Sequence, residues 1–300
     1  MDQQLQVFVT VAELKNFSRA AEKLHMTQPA VSQYIRSLEQ TMGSKLLERS
    51  NKFVRLNQAG EMVYYHAKEI LGLYAKMHDL IDDLTNKASG PISIGASYTF
   101  GEYVLPHVIK NMHQHYPLIE PTITIGNTSK IANLVLSHQI DVGIVEGAFH
   151  DKHLVIEPFA EDSMCIVAAP NHRLARKEGN VSVSELEKET WIVREQGSGT
   201  REVTEKMFQS IGIDPEKRLE FGSTQIIKES IAAGLGISLL SYWAVRDESA
   251  RGSLSVVELN QLPVKREFSI VLRSPFQTKA LNVFLSLLRA FGSESPRELE

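Results

Sequence analysis

Between Thr27 and Gln40, Ser32, Gln33, Arg36, Ser37 and Gln40 share one face of a helical repeat whose other face is Val31, Ile35 and Leu38. Amide and hydroxyl groups suit base edges in a DNA major groove, and a guanidinium suits guanine or phosphate. Lys52 and Arg55 follow on a strand–turn–strand segment, where a wing lying along phosphates would carry its cations. A second set of candidates stands at four strand-to-helix turns: Ser97-Tyr98-Thr99, Asn127-Thr128-Ser129, Gly197-Ser198-Gly199-Thr200 and Ser223-Thr224-Gln225. Such turns put hydroxyls and helix N–H groups at the carboxyl ends of strands, where α/β proteins hold ligands and favour anions. A plain helix cap explains any one of them. Four around one cleft point to a small anionic ligand held by hydroxyl and N–H groups.

Enzyme chemistry finds little support. There is no Gly-Lys-Ser/Thr phosphate loop, no Gly-x-Ser-x-Gly turn and no histidine pair at metal spacing. His113 and His115 sit two apart on an expected helix and point to different faces, and His150 and His153 fall in an expected loop. The loop from Gly197 to Arg201 resembles anion cradles of fold-related dehydratases, but no acid–base partners accompany it. Cys165 lies in the apolar run Met164-Cys165-Ile166-Val167 and reads as an inert core thiol. The expectation is no catalytic residue, no metal and no cofactor.

Three kinds of element must position these groups. Up to residue 57 the chain reads as short helices and tight turns. Leu5, Phe8, Val9 and Ala12 make one apolar stripe. Ser18 is expected to cap a second helix that buries Ala20, Ala21 and Leu24. Thr27 caps a third, with Pro29 in its first turn. Leu46 to Leu56 reads as two strands around Ser50-Asn51-Lys52. A long helix over about 58–86 follows, capped by Asn57. Val63, Ala67, Ile70, Tyr74, Met77, Ile81 and Leu84 repeat along it every seven residues, the mark of a seam between two chains; packing on its own domain is the alternative. After Ala88-Ser89-Gly90-Pro91, strands at 92–96, 122–126, 141–145, 164–169, 191–193 and 236–240 alternate with helices at 101–116, 129–137, 200–211, 226–233 and 277–291. That alternation predicts an α/β fold with mainly parallel sheets, large enough for two lobes and a cleft.

The distribution of charge along the chain is of the kind that suggests a nucleic-acid contact. The chain has 300 residues, 43% hydrophobic and 23% charged, with a net charge of −4. Residues 1–60 carry +3 and the remainder −7, a small basic module ahead of a large acidic one. Random surface charge would give the same split about as readily. No apolar run approaches the length of a membrane span, the start at Met1 has no signal core, and one cysteine makes no internal disulfide. A cytoplasmic protein is expected.

The residues Phe17, Ala20-Ala21, Leu24, Thr27-Gln28-Pro29-Ala30-Val31-Ser32, Ile35, Leu38-Glu39, Gly43, Leu46, Arg49 and Ala59-Gly60 resemble the signature of the LysR-type transcriptional regulators. The resemblance covers the whole chain. It implies a winged helix-turn-helix at 1–57, a linker and dimerisation helix at 58–89, and a two-lobed effector domain like type II periplasmic binding proteins at 90–300. Its lobes would span about 91–161 plus 267–300, and 162–266. It implies DNA contacts from Thr27, Gln28, Pro29, Ser32, Gln33, Arg36, Arg49, Lys52 and Arg55, and effector contacts from Ser97, Thr99, Thr128, Glu146, Ser198, Thr200 and Thr224. Glu146 is out of place in an anion site; pairing with Arg201 or Arg194, or reading an amino group, would account for it. Departures are mild: Leu47 replaces a usual Phe, Asn57 a usual Thr, and Asn51-Lys52 stands where arginine is common. Partners implied are an operator duplex, a small-molecule effector, further copies of the chain as dimer or tetramer, and RNA polymerase, with no membrane. Such regulators usually activate a divergently placed operon. The runs 96–106, 125–128 and 194–202 are most similar to regulators of sulfur assimilation. The alternatives are a fold-related dehydratase or deaminase fused to a DNA-binding module, and a DNA-binding protein with no effector.

Overall fold

The computed structural model describes residues 2–49, 53–82, 88–177, 181–257, 264–273 and 277–293. The first compact unit opens with α1 (Asp2–Leu14), α2 (Phe17–Lys23) and α3 (Gln28–Met42). Asn16, not Ser18, caps α2, its side chain accepting from Arg19 N–H at 3.0 Å. Both are good caps two residues apart, and the earlier one wins because Phe17 then packs on the core at the first helical position. Thr27 caps α3 as expected, and Gly43 ends it at φ +66. Two short antiparallel strands follow, β1 (Leu47–Arg49) and β2 (Val54–Leu56). Ala20, Ala21, Val31, Ile35 and Leu38 close a core with Leu5, Phe8 and Val11. The small alanines let α2 and α3 cross closely.

Helix α4 (Gln58–Asp82) begins at Asn57, whose side chain accepts from Gly60 N–H at 2.8 Å. Its first turns pack on the unit's own core: Ala67 is 1% exposed, Val63, Tyr64 and Leu71 lie against it, and Lys68 reaches Glu13 of α1 at 3.0 Å. Ala67, expected on the seam, is inside this chain's own core, and Val63 is half-buried against that core. Ile70, Tyr74 and Met77 are exposed, together with Met62, Tyr65 and Leu73. The Ile81 side chain and Leu84 lie outside the described residues, as does Lys52.

The second unit is built from β3 (Gly90–Ser97), a π-helical turn (Phe100–Val104), α5 (Leu105–His115), β4 (Ile119–Gly126), α6 (Thr128–Leu136), β5 (Val142–Glu146), β6 (Val155–Ala168), α7 (Val183–Glu187), β7 (Thr190–Arg194), α8 (Gly199–Ile211), β8 (Lys217–Phe221), α9 (Thr224–Ala232), β9 (Ser238–Ser241), α10 (Tyr242–Ala250), β10 (Ser255–Val257), β11 (Val264–Leu272) and α11 (Lys279–Ser293). Every strand and helix expected beyond residue 90 is present. The sheet is mixed, however, rather than mainly parallel. β3 pairs in parallel with β4 and β5, and β7 with β8, but β6 and β11 run antiparallel along nine paired positions. The order β10-β6-β11-β5-β3-β4, with β9 also on β6, places that pair between two cores. One core gathers Ile92, Ile94, Phe100, Ile144, Phe268 and Phe284; the other gathers Met164, Ile166, Trp191, Phe208 and Leu239. The chain passes from one core to the other on β6 and returns on β11, so the two strands run in opposite directions. Their register slips between Phe268 and Ser269.

Candidate functional site

Helix α3 presents its polar face to solvent: Gln28, Pro29, Gln33 and Arg36 are exposed and Ser32 is half-buried. Gln28 donates to the Ser32 hydroxyl at 3.1 Å, which fixes the amide at the start of the face. Ser37 departs from the expectation, because its hydroxyl accepts from Gln4 of α1 at 2.9 Å. Glu39 binds the wing to the helix. It is 4% exposed and accepts from Leu46 N–H at 3.0 Å and from Lys45 Nζ at 3.1 Å. Burial opposes its charge, but these donors more than offset that and hold the carboxyl below the usual range. Arg49 lies 3.5 Å from Glu39 and over the Phe17 ring, so it braces the wing from within. Arg55 is exposed and paired with Glu48 at 2.6 Å.

In the second unit, three of the expected site residues, Thr99, Glu146 and Thr200, converge on one that the sequence did not mark, Arg266 of β11. Its side chain is 1% exposed. Nε donates to Asp162 Oδ2 at 2.7 Å, Nη1 to Glu146 Oε2 and Thr200 Oγ1, both at 2.9 Å, and Nη2 to Thr99 Oγ1 at 3.0 Å. The other Glu146 oxygen, Oε1, accepts from Thr99 N–H at 2.8 Å and Phe100 N–H at 3.2 Å. Glu146 therefore pairs with Arg266, not with Arg201 or Arg194. Ser241 donates to Asp162 at 2.7 Å. Burial drives the Asp162 carboxyl upward against the pull of Arg266, while Glu146 and Asp162 outweigh burial at Arg266 and drive its pKa up.

The remaining candidates divide. Thr128 donates to Glu146 O at 3.0 Å and stands 3.3 Å from the Ser97 hydroxyl. Thr224 accepts from Arg194 Nη1 at 3.3 Å instead. Arg194 is 2% exposed, pairs with Glu195 at 2.7 Å and stacks on Tyr98 at 4.5 Å. Arg201 goes to Glu205 at 2.7 Å and to Arg194 O at 2.9 Å. Ser97 and Thr200 do not share a partner; Thr99 is the residue joined to Thr200 through Arg266. Ser198 is buried at the start of α8 and makes no side-chain cap bond.

The loop at 197–200 owes its glycines to close approach. Gly197 sits at φ +83, and its carbonyl accepts from Ser129 N–H at 3.1 Å. A Cβ on Gly199 would fall 1.9 Å from Glu146 O, so only glycine lets α8 start against the end of β5. An open cavity of about 450 Å³ remains outside this contact, lined by Thr128, Ser129, Phe149, Gln196, Ser198 and Arg201 among others. A second cavity, of about 250 Å³, lies apart from Arg266 between α5, α10 and α11.

The charged network carries one readable signal. Asp162 falls in register with Met164 and Ile166, and Arg266 with Phe268 and Ile270, so each is a charge on an inward-facing apolar row. Among the described residues no group of three His, Cys, Asp or Glu side chains is placed to hold a metal, and no helix is long and apolar enough to cross a membrane.

Comparison with known proteins matches residues 3–61 to the bacterial regulatory helix-turn-helix protein, lysR family, and residues 85–293 to the LysR substrate binding domain. The chain is 37% identical over 289 residues to the HTH-type transcriptional regulator CysL of Bacillus subtilis (strain 168), covering 95% of this chain and 96% of that one. A full-length OxyR variant from Pseudomonas aeruginosa superposes with a TM-score of 0.74 at 25% identity, over 96% of this chain and 94% of that one. The Synechocystis PCC6803 CcmR regulatory domain in complex with 2-PG matches with a TM-score of 0.63 at 30% identity, over 69% of this chain and 99% of that one.

Proposed function

Because this chain belongs to the LysR family of transcriptional regulators, we propose that it is an effector-responsive activator of a metabolic operon. Residues 1–57 would read DNA, with Thr27, Gln28, Pro29, Ser32, Gln33 and Arg36 at the groove and Arg55 toward phosphates. Arg49, turned to Glu39, would act by holding the wing. The exposed row Ile70, Leu73, Tyr74 and Met77 would pair two chains, as dimer or dimer of dimers. Lobes at about 91–161 plus 267–300, and 162–266, would close on a small molecule. RNA polymerase as a partner, a cytoplasmic location and a link to sulfur or cysteine metabolism belong to the same reading. The relatives named above are regulators rather than enzymes.

One observation carries the effector reading: Thr99, Glu146 and Thr200, from three different elements, meet at one buried arginine on a strand that runs between the two cores. A residue so placed reports on closure of the cleft. The 2-PG bound to the CcmR regulatory domain supports a small-molecule ligand for the equivalent domain here. Calorimetry against small anions and amino-acid derivatives, repeated on Thr200→Val, tests this. A ligand that alters operator affinity in the parent, with a weakened response but unchanged ligand-free affinity in the variant, is expected. An unimpaired response in Thr200→Val combined with Ser97→Ala would overturn it.

A further inference from the structure

The anion position that the helix starts create in this cleft is filled by the chain itself. The Glu146 carboxylate, 2% exposed, takes an arginine on one oxygen and two backbone N–H groups on the other. Those are the contacts a carboxylate ligand would be given. Arg266 keeps a second, separate counter-ion in Asp162, which is itself held by Ser241. Asp162 neutralises the guanidinium as a fixed part of the strand pair. Glu146, at the end of β5, reaches Arg266 through its side chain and meets it beside Thr200 of α8. Nothing in that arrangement requires the carboxylate to belong to the protein.

The geometry points to Glu146 as a built-in ligand of the cleft: it closes the site in the absence of effector, and a small carboxylate or similar oxyanion competes with it for Arg266 and the Thr99 and Phe100 N–H groups. This rests on the effector-cleft reading above and adds the mechanism. An effector of this class does not fill an empty hole; it exchanges one carboxylate for another and frees Glu146 from the lobe contact. The open cavity lined by Thr128, Ser198 and Gly199 adjoins the Glu146 main chain. A ligand shifts the lobes only through the difference between its own contacts and those Glu146 gives up. Affinity in the parent is therefore weakened by the internal competitor.

The test uses the full chain. Glu146→Ala removes the internal ligand and leaves room for formate or acetate. Its melting temperature should fall by several degrees, then rise with the logarithm of formate concentration beyond any effect of sodium chloride at equal ionic strength. The parent should respond to formate no more than to chloride. Equal responses of parent and variant would overturn the proposal. Glu146→Leu, of similar size and with no acceptor, gives an independent reading if the alanine variant does not fold. Amide exchange at Thr99 and Phe100 should quicken about tenfold while the rest of the domain stays protected; unchanged exchange would overturn the proposal. The two readings separate cleanly. Formate rescue with no small molecule ever altering the parent's DNA binding defeats the effector cleft alone. An effector response with neither rescue nor faster exchange defeats the internal ligand alone.

Discussion

Replacing Arg266 with methionine removes one cation from between two carboxylates that stay buried, at 3% exposure for Glu146 and 0% for Asp162. Methionine fills the volume of the aliphatic stem, so the loss is electrostatic rather than a cavity. Breaking a buried ion pair from one side costs about 3–5 kcal/mol, because the remaining charge has no compensation. In a domain of this size each kcal/mol lowers the melting temperature by about 2–4 °C, so a fall of about 6–20 °C is expected. The deficit should also depend on pH. Asp162 already titrates above its ordinary range because it is buried, and without Arg266 it moves higher. A carboxyl with a raised folded-state pKa binds more protons folded than unfolded, so its contribution is favourable at low pH and is lost as pH rises. The gap between variant and parent should therefore narrow as pH falls. Differential scanning calorimetry of both proteins over a pH series measures it. A variant within about 2 °C of the parent at every pH, or a gap that widens on acidification, would rule out an uncompensated buried charge at this site.

Three further outcomes follow from the same structure. Ile70→Lys combined with Met77→Lys puts unpaired charge into the exposed row of α4, and sedimentation equilibrium should show dissociation without loss of helicity; a dimer of unchanged affinity would exclude that row as the seam. Arg55→Ala should flatten the salt dependence of DNA binding by about one counterion and leave sequence preference intact, read from affinities over a salt series. The Cys165 thiol, pushed up to about 12 by burial with Asp162 adding to it, should be inert to a disulfide reagent in the native protein at neutral pH and react only on unfolding.

Much of this is legible in the residues. The third helix and its Thr27 cap, the wing, the long helix and the alternation beyond Pro91 all follow from local rules of capping, periodicity and turn chemistry. The shortfalls are non-local. A heptad row records which positions are apolar but not which partner covers them, so Ala67 reads as seam although the chain's own core already buries it. Arg266 is legible only as a charge on the inward-facing row with Phe268 and Ile270; its partner Asp162 lies on a strand 104 residues away. Glu146 reads as misplaced for the same reason, since its partner lies on another strand. The glycines at 197 and 199 read as an anion cradle, whereas they serve the close packing of α8 on the end of β5.

Selection of bound duplexes from a random DNA library, run in parallel on the parent and on Arg36→Ala, tests the central claim most directly. The parent is expected to enrich a sequence with two related half-sites, one for each of two copies of α3. Arg36→Ala should cost about 1–3 kcal/mol and relax the preference at one position in each half-site, since that side chain is exposed on the polar row of α3. No enriched duplex from the parent, or an Arg36→Ala pool with the parent's preference and only uniformly weaker binding, would contradict it.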